Sequence, residues 1–365
     1  MDTEVLRIIE GGLANDKRKI LTYSSKLADR LDKEGNGALA RCIRQKIETS
    51  VPQSQAVADA VRLMPIDTES RLQIVEVFPP DFKRSEVVLS TAVERQVSDF
   101  IDMVNHRSDL ELAGVDIKKT MLLYGQPGCG KTSIAHYVAE RTGLPLIVAR
   151  LDGIVSSLLG NTAKNIRRIF EYAHSTPCIL FLDEFDAIAK ARDDAHEMGE
   201  LKRVINSLLQ NIDDMSSDSV LIAATNHQEL LDKAVWRRFV QVVEVGLPSE
   251  TQILEMITIF SQPFENELAS DAQKRKAFVQ SVNGLSPSAI KNVFDKVKVK
   301  MVIGGRTSIE TEDLLSNVYE ATSNDKTESG YVCFLSSHGI SQADISRCSG
   351  ISLRKVKSYL STSKQ

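Results

Sequence analysis

The sequence has 365 residues, of which 42% are hydrophobic and 26% are charged, and its formal net charge is −4 at pH 7. This is typical of a soluble globular protein with two or three domains, and it argues against wholesale electrostatic binding of nucleic acid but not against a local basic patch. Five scattered cysteines without a C-x-x-C pair indicate neither a zinc site nor a disulfide framework. Since the sequence shows no signal peptide and no apolar run of membrane length, we expect a cytoplasmic protein without a membrane partner.

The first 84 residues predict a helical module followed by a linker. Residues 1–50 carry apolar residues at helical spacing on both sides of Gly35-Asn36-Gly37, which predicts a helical hairpin or small bundle. This module would either dock a partner or substrate or pack as an appendage on the next domain, and composition does not separate the two. Residues 51–84 contain several prolines and predict a linker, with an extended or edge-strand segment at 72–78.

Strand and helix patterns alternate between residues 85 and 249. The predicted strands are 121–124, 144–149, 178–182, 220–224 and 240–245. The predicted helices are 89–104, 133–141, 161–173 and 198–212. Because near-continuously apolar strands alternate with helices, we predict an α/β fold in which helices cover both faces of a parallel sheet.

The strand patterns stop after residue 250. Four helical patterns between residues 251 and 322 predict an all-helical domain over 250–324. The tail, residues 325–365, predicts three short helices, with Ser341 and Ser352 as helix caps on either side of a tight turn at Ser349-Gly350-Ile351. The α/β domain is therefore expected to carry helical appendages at both ends.

One stretch matches the phosphate-binding pattern G-x-x-x-x-G-K-[ST] without a mismatch, between an apolar strand and a helix. Its glycines permit close backbone approach to a phosphate, and successive N–H groups form an anion nest. Lys131 would reach the β- and γ-phosphates of ATP, and the Thr132 hydroxyl would hold Mg²⁺. A chance match of a glycine-rich turn is the alternative, which the strand–loop–helix context disfavours. The predicted nucleotide-binding residues are Gly125, Gln126, Pro127, Gly128, Cys129, Gly130, Lys131, Thr132 and Ser133.

Polar residues follow two further apolar strands. Asp183 and Glu184 end the strand at 178–182, which places two carboxylates at the sheet edge beside the phosphate loop. Asp183 would bind Mg²⁺ through its water shell, and Glu184 would polarise the attacking water. The alternative is a pair of acids that cap the next helix. Asn226 ends the next strand and could bond the water or the γ-phosphate, although a solitary asparagine is most often a turn residue.

Two adjacent arginines, Arg237 and Arg238, follow a short helical pattern. Such a pair usually forms a solvated face. The alternative is an arginine finger that stabilises charge on the transferring phosphoryl group. If the finger acts on a neighbouring subunit, the protein must be an oligomer.

Taken in this order and spacing, the phosphate loop, the acid pair, Asn226 and the arginines resemble an AAA+ ATPase. The resemblance is strongest to the AAA subgroup that holds katanin, spastin, the ESCRT-disassembling ATPase and the membrane-bound AAA proteases. It covers about residues 85–320. It implies a P-loop NTPase fold, ATP and Mg²⁺ as cofactors, and a homo-oligomer, a hexameric ring, that hydrolyses ATP to remodel a protein or a protein–DNA assembly.

The same resemblance assigns roles to single residues. It implies that Asn226 is the sensor 1 residue and that Arg237 and Arg238 are arginine fingers acting on the neighbouring subunit. It also implies that the helical domain 250–324 is the lid and that Gly284-Leu285-Ser286 lies in the sensor 2 region.

The sequence departs from the family at the central-pore loop, where an aromatic residue, an aliphatic residue and glycine are usual. The equivalent stretch here is Ser157-Leu158-Leu159-Gly160, with Leu158 in the place of the aromatic residue. Leucine grips a chain more weakly than a ring does, which puts processive threading of polypeptide in doubt. The alternative is that both leucines are core residues.

The tail resembles a helix-turn-helix. The residues that fit its polar, apolar and turn positions are Gln342, Ile345, Gly350, Ile351 and Val356, whereas Ser346 stands where alanine is usual. Arg354, Lys355 and Lys357 lie at or beside the start of the predicted recognition helix, where DNA-binding proteins place contacts to bases and phosphates. The alternative is a three-helix protein-docking module with a solvated basic face.

Two functions compete with remodelling by a free ring. In the first, the tail binds double-stranded DNA and tethers a motor or loader there, which predicts salt-dependent duplex binding through Arg354 and Lys355. In the second, the chain is a nucleotide-gated scaffold that recruits a separate effector such as a protease or nuclease, which predicts slow turnover needed only for release. The intact pair Asp183-Glu184 argues against an inactive ATPase.

Overall fold

A computed structural model describes residues 74–80, 87–151, 162–175, 177–187, 198–215, 219–323 and 325–362, with isolated positions between residues 5 and 43. The predicted N-terminal hairpin, most of the predicted linker and the pore-loop stretch Ser157–Gly160 lie outside the described residues. The predicted domain boundaries remain predictions.

The sheet of the large domain has six strands in the order β1-β3-β4-β5-β2-β6. Neighbouring strands run parallel except β1, which pairs antiparallel with β3. The prediction of a parallel sheet is thus confirmed, with an antiparallel strand at one edge inside the segment that predicted an edge strand. The strands are β1 Glu76–Phe78, β2 Lys119–Tyr124, β3 Leu146–Arg150, β4 Ile179–Asp183, β5 Val220–Thr225 and β6 Gln241–Glu244.

Helices cover both faces of this sheet, which explains why its strands are apolar almost throughout. Leu122, Leu180 and Leu221 face a core that includes α4 and α5. Their neighbours Phe181 and Ile222 face the opposite core, which includes α1 and α3. The helices are α1 Thr91–Asn105, α2 Arg107–Leu112, α3 Lys131–Thr142, α4 Thr162–Ser175, α5 Met198–Asp213 and α6 Lys233–Trp236.

The predicted lid is a helical domain with its own hydrophobic core. Its long helix α10 starts at an N-cap, Ser286, whose side chain accepts a hydrogen bond from the Ala289 N–H, with Pro287 in the first turn. The expectation of no strands after residue 250 was wrong in one detail, since β7 (Glu265–Asn266) pairs parallel with β8 (Ser308–Ile309). Two-residue strands are too short to show a periodic pattern. The helices are α7 Glu250–Ser261, α8 Glu267–Ser270, α9 Ala272–Ser281, α10 Pro287–Gly304 and α11 Thr311–Thr322.

The tail forms the three predicted helices, α12 (Glu328–Ser337), α13 (Gln342–Ser349) and α14 (Leu353–Thr362). The predicted cap Ser341 is confirmed, because its side chain accepts a hydrogen bond from the Asp344 N–H. The apolar residues of these helices belong to the same core as those of the lid: Val332, Leu335, Ile345 and Val356. The tail is therefore packed onto the lid through shared apolar burial.

The serine that departs from the helix-turn-helix pattern has a structural role in this tail. The Ser346 hydroxyl donates a hydrogen bond of 2.6 Å to the Ile351 carbonyl oxygen and so closes the turn between α13 and α14. Gly350 occupies the left-handed region in that turn, at φ 71°. Among the described helices, none is long and apolar enough to cross a membrane.

Candidate functional site

The phosphate loop leaves β2 and enters α3 through glycines that no other residue can replace without strain. Gly125 has φ 143°, and a Cβ built on it would lie 2.1 Å from the carbonyl oxygen of Val245. The Val245 N–H in turn donates to the Tyr124 carbonyl at 2.7 Å, which holds the end of β6 against the loop. Gly130, the N-cap of α3, has φ 102°. The loop is therefore shaped by close packing of backbone on backbone.

Lys131 lies within the curve of this loop. Its Nζ donates hydrogen bonds to the carbonyl oxygens of Gly125 at 2.7 Å and Gln126 at 3.0 Å. Burial lowers the pKa of Lys131 from its usual value, while Cys129 and nearby carboxylates act in the opposite direction. Residues 127–133 line a cavity, whereas Gly125 and Gln126 contribute carbonyl acceptors for the lysine.

The residues predicted to hold Mg²⁺ meet at the sheet edge. The Thr132 hydroxyl donates to Asp183 Oδ2 at 3.2 Å. The other carboxylate oxygen, Asp183 Oδ1, accepts from the Glu184 N–H at 2.9 Å. One hydroxyl and one carboxylate suit Mg²⁺, which in nucleotide sites takes few protein ligands and keeps waters and phosphate oxygens in its remaining positions. Within the described ranges, no group of three or more His, Cys, Asp or Glu side chains forms an independent metal site.

Glu184 has a strained backbone conformation. Its φ is 54°, and among the described residues it is the only one other than glycine with a positive φ. The neighbouring backbone enforces this conformation, because the Phe185 N–H donates to the Ala224 carbonyl at 2.8 Å and the Ala187 N–H donates to the Glu184 carbonyl at 2.9 Å. Such strain costs on the order of 1–3 kcal/mol and is concentrated at functional sites. It keeps Glu184 on the wall of the cavity.

Sequence analysis missed Asp186, which supports this edge of the site from within. Asp186 is 3% exposed, and its Oδ1 accepts hydrogen bonds from the Thr225 hydroxyl at 3.0 Å and the Asn226 N–H at 3.2 Å. Asp186 thereby ties the end of β5, and the cavity-lining Asn226, to the loop after β4. The available signal was a third acid two positions after Glu184, which could not be told from an exposed loop residue.

The site residues share a cavity of about 650 Å³ with residues of the lid. This volume is typical of a pocket for a small molecule of nucleotide size. Apolar walls come from Val87 and Val88, ahead of α1, and from Met256 and Phe260 on α7. The first turns of α10 add Pro287, Ser288 and Lys291. The sequence did not predict these residues for the site, because they come from three segments that only the packing of the two lobes brings together.

The two adjacent arginines have different surroundings, and neither lines this cavity. The Arg238 guanidinium is bidentate to Asp213, with Nε 2.9 Å from Oδ1 and a terminal nitrogen 2.7 Å from Oδ2, and it also donates to the Ala234 carbonyl at 2.5 Å. Arg237 is exposed, and its guanidinium makes no hydrogen bond or ion pair with the part of the chain that the structure describes. In position, Arg237 is therefore the arginine available to another molecule.

The cations of the tail are on the surface. Arg354 and Lys357 are exposed, while Lys355 forms an ion pair with Glu328 on α12. The Tyr359 hydroxyl donates to the same carboxylate at 2.9 Å. These hydrogen bonds lower the pKa of Glu328 and raise the pKa of Lys355. One of the three predicted DNA-contacting cations is thus engaged within the tail.

Comparison with known proteins places these motifs in a family. Residues 121–247 match the family described as "ATPase family associated with various cellular activities (AAA)". An uncharacterized AAA family ATPase of Sinorhizobium fredii is 36% identical over 291 residues, which are 80% of this chain and 86% of that protein.

Two further relatives are covered less completely. A proteasome-activating nucleotidase of Methanopyrus kandleri is 30% identical over 287 residues, which are 76% of this chain and 64% of that protein. The ATP-dependent zinc metalloprotease FtsH of Acidothermus cellulolyticus is 29% identical over 252 residues, which are 67% of this chain and 37% of that protein. This chain therefore spans less than two thirds of each of these two relatives.

Proposed function

Since the chain belongs to the AAA family of ATPases and hydrolyses ATP, we propose that it works with Mg²⁺ as a homo-oligomeric, hexameric ring that remodels a protein or a protein–DNA assembly. The observation that carries the proposal is the division of the catalytic groups. Lys131, Asp183 and Glu184 share the cavity of one protomer, whereas Arg237 is exposed and lies outside it.

Within one protomer, the cavity residues supply most of the chemistry. Lys131 and the loop N–H groups bind the phosphates, and Thr132 and Asp183 would hold Mg²⁺, which supplies charge neutralisation when bound. Glu184, fixed by its strained backbone, orients and polarises the attacking water. Asn226, whose backbone N–H donates to Asp186, would donate a further hydrogen bond from its side chain at that end of the cavity.

The remaining cation is proposed to come from the neighbouring subunit. Arg237 would complete the neighbour's cavity and offset charge on the transferring phosphoryl group, as an arginine finger does in trans. Arg238 would act through its pair with Asp213, which holds the turn that carries Arg237. This arrangement makes hydrolysis depend on assembly.

A polypeptide substrate is supported by the names of two relatives. One activates a proteasome and the other is an ATP-dependent protease, so in both the ATPase is coupled to proteolysis. We propose that the work done here is likewise on a protein. A DNA-tethered motor is less favoured, because Lys355, one of the three predicted DNA-contacting cations, is already paired with Glu328 within the tail. A nucleotide-gated scaffold remains the competing assignment.

The test is a mass determination of the Glu184→Gln variant with ATP and Mg²⁺, with and without duplex DNA. The variant should bind ATP, hydrolyse it slowly and shift from small species to a ring-sized complex. The control, Lys131→Ala, should neither bind ATP nor assemble. Co-migration of duplex DNA would favour the DNA-tethered motor. A monomer with ATP bound would remove the role of Arg237 in trans and favour the scaffold.

A further inference from the structure

The segment that carries Arg237 is held in place by aromatic residues on both sides of the arginine. Trp236 is the last residue of α6, and Phe239 lies two positions after the arginine. Trp236 packs edge-to-face on Tyr124, with ring centroids 5.4 Å apart and an interplanar angle of 76°. Phe239 packs in the same way on Phe185, at 6.0 Å and 84°. Both distances are in the range in which such pairs attract, so the exposed arginine lies between two anchored rings.

The partners of these two rings are direct neighbours in sequence of nucleotide-site residues. Tyr124 ends β2 and precedes Gly125, the first residue of the phosphate loop. The Gly125 carbonyl oxygen accepts a hydrogen bond from Lys131 Nζ at 2.7 Å. Phe185 follows Glu184, the residue assigned to polarise the attacking water. The arginine that lies outside its own cavity is thus connected to that cavity through a ring contact on each side.

Hydrogen bonds fix the same segment to β2 and to the loop before α6. The Thr120 hydroxyl donates to the Arg238 carbonyl at 2.9 Å and accepts from the Val240 N–H at 3.0 Å. The indole Nε1–H of Trp236 donates to the Leu231 carbonyl at 3.2 Å. The turn that presents the arginine is therefore held against β2 at two levels, near the start of the strand and at its end beside the phosphate loop.

We propose that Trp236 is a positioning residue for Arg237, and that its contact with Tyr124 makes the position of the arginine depend on the nucleotide in the same subunit. The inference rests on the proposed role of Arg237 as an arginine finger in trans. A phosphate bound by Lys131 shares the ammonium group with the Gly125 carbonyl, so the backbone beside Tyr124 responds to nucleotide binding. The Tyr124 ring passes this displacement to the indole, and the indole passes it to the next residue, Arg237. The occupancy of one cavity thereby adjusts the arginine that is offered to the next.

Trp236 is the only tryptophan of the chain, so its fluorescence tests the link to the phosphate loop. The full chain is titrated with MgADP and with the slowly hydrolysed analogue Mg-ATPγS in the Arg237→Ala background, which removes the arginine as a route from the neighbour's nucleotide. We expect the indole emission to shift in parallel with nucleotide binding. The shift should disappear in Lys131→Ala and shrink in Tyr124→Ala. It should persist in Tyr124→Phe, which keeps the ring and loses only the hydroxyl bonded to Glu244 at 3.3 Å.

Steady-state ATP hydrolysis tests the link to the arginine. Trp236→Ala should lower kcat by about tenfold to a hundredfold, because a displacement of about 1 Å in a catalytic group costs rate of this order. The KM for ATP should not change, because the cavity of the variant is intact. Trp236→Phe keeps an aromatic edge and should restore most of kcat. Mixing Trp236→Ala with Glu184→Gln subunits should recover activity, because the second variant supplies a well-placed arginine to the cavity of the first.

Each link has a result that overturns it. Unchanged emission while calorimetry shows nucleotide binding would remove the coupling of Trp236 to the phosphate loop. Full activity of Trp236→Ala beside an inactive Arg237→Ala would remove its positioning role. Equal losses in the Ala and Phe variants of Trp236, with a matching fall in melting temperature and no recovery on mixing, would assign the indole to domain packing. Parental activity of Arg237→Ala would instead contradict the arginine finger itself, whatever the fluorescence shows.

Discussion

The carboxyl edge of the sheet and the C-terminal tail both bring charged residues together, but in opposite environments. At the sheet edge, Asp186 is 3% exposed and bonds two groups of another strand end. In the tail, Lys355 and Glu328 pair on the surface, where solvent weakens the interaction. At the sheet edge, therefore, a buried charge fixes the positions of the site residues. In the tail, apolar burial in the lid core holds the helices in place, and the surface charges contribute little.

Arg237 is an exception to this contrast. It is exposed, as the charges of the tail are, and yet we expect its substitution to have the largest effect on activity. Arg237→Ala should lower the ATPase rate by about 10³-fold, because an arginine finger in trans contributes this order of catalysis. The melting temperature should not change, because the guanidinium has no partner in the described part of its own chain. A steady-state ATPase assay and thermal unfolding measure the two quantities.

A mixing experiment distinguishes action in trans. Arg237→Ala subunits keep an intact cavity, and Glu184→Gln subunits keep an intact arginine. A mixture of the two inactive variants should recover activity, whereas neither does so alone. Activity that stays absent over all mixing ratios would contradict a finger supplied by the neighbour.

Asp186 tests the sheet-edge side of the comparison. Asp186→Ala leaves the Thr225 hydroxyl and the Asn226 N–H without this acceptor, so we expect a loss of about 3 kcal/mol in the free energy of unfolding. The rate of hydrolysis should fall as well, because Asn226 loses its support. Denaturant titration measures the stability, and Asp214, an exposed aspartate elsewhere in the same domain, provides the control. Equal stability of Asp186→Ala and Asp214→Ala would show that the buried carboxylate is not needed.

Val356 tests the tail side. Val356→Ala removes two methyl groups from a fully buried residue of α14, and we expect a loss of about 2 kcal/mol in the free energy of unfolding. The matched control is Leu353→Ala, one turn earlier, where the side chain is 41% exposed. If only α14 unfolds in hydrogen exchange while the lid amides stay protected, the shared core does not couple tail and lid.

Glu312 is a buried acid where lid and tail meet, and its substitution is expected to have the smallest effect on stability. Burial raises the pKa of Glu312, Glu267 and Asp344 raise it further, and Lys274 opposes them. Its folded pKa thus exceeds its unfolded pKa, so its contribution to stability falls as pH rises from the unfolded value through the folded value. Glu312→Gln should therefore be more stable than the parent by roughly 1 kcal/mol at pH 7. The difference should shrink as the pH is lowered towards 4, which paired denaturant titrations would measure.

The sequence predicted those parts of the molecule whose causes are local. The apolar runs that end in Asp183 or in Asn226 predict strands and place the candidate site at the carboxyl edge of the sheet. The loop position with φ 143° requires glycine, and the motif predicts glycine there, at Gly125. The antiparallel direction of β1 was not predicted, because a three-residue strand carries no signal of direction.

What the sequence could not predict depends on contacts between distant segments. Asp186 supports the site only because Thr225 and Asn226 fold against it. Lys291 lines the cavity only because the lid packs against the phosphate loop. Arg237 and Arg238 are identical residue types one position apart, and only the location of Asp213, 25 residues upstream of Arg238, separates their surroundings.

Helix α10 connects the cavity to the hydrophobic core that lid and tail share. Its 18 residues extend over about 27 Å, and its first two turns line the cavity. A rotation of about 10° at the phosphate loop would therefore displace the far end by about 5 Å. Two exposed apolar side chains, Val302 and Ile303, stand at that far end, 68% and 83% exposed. Because the tail helices are packed into the same core, any rotation of the lid would carry them along.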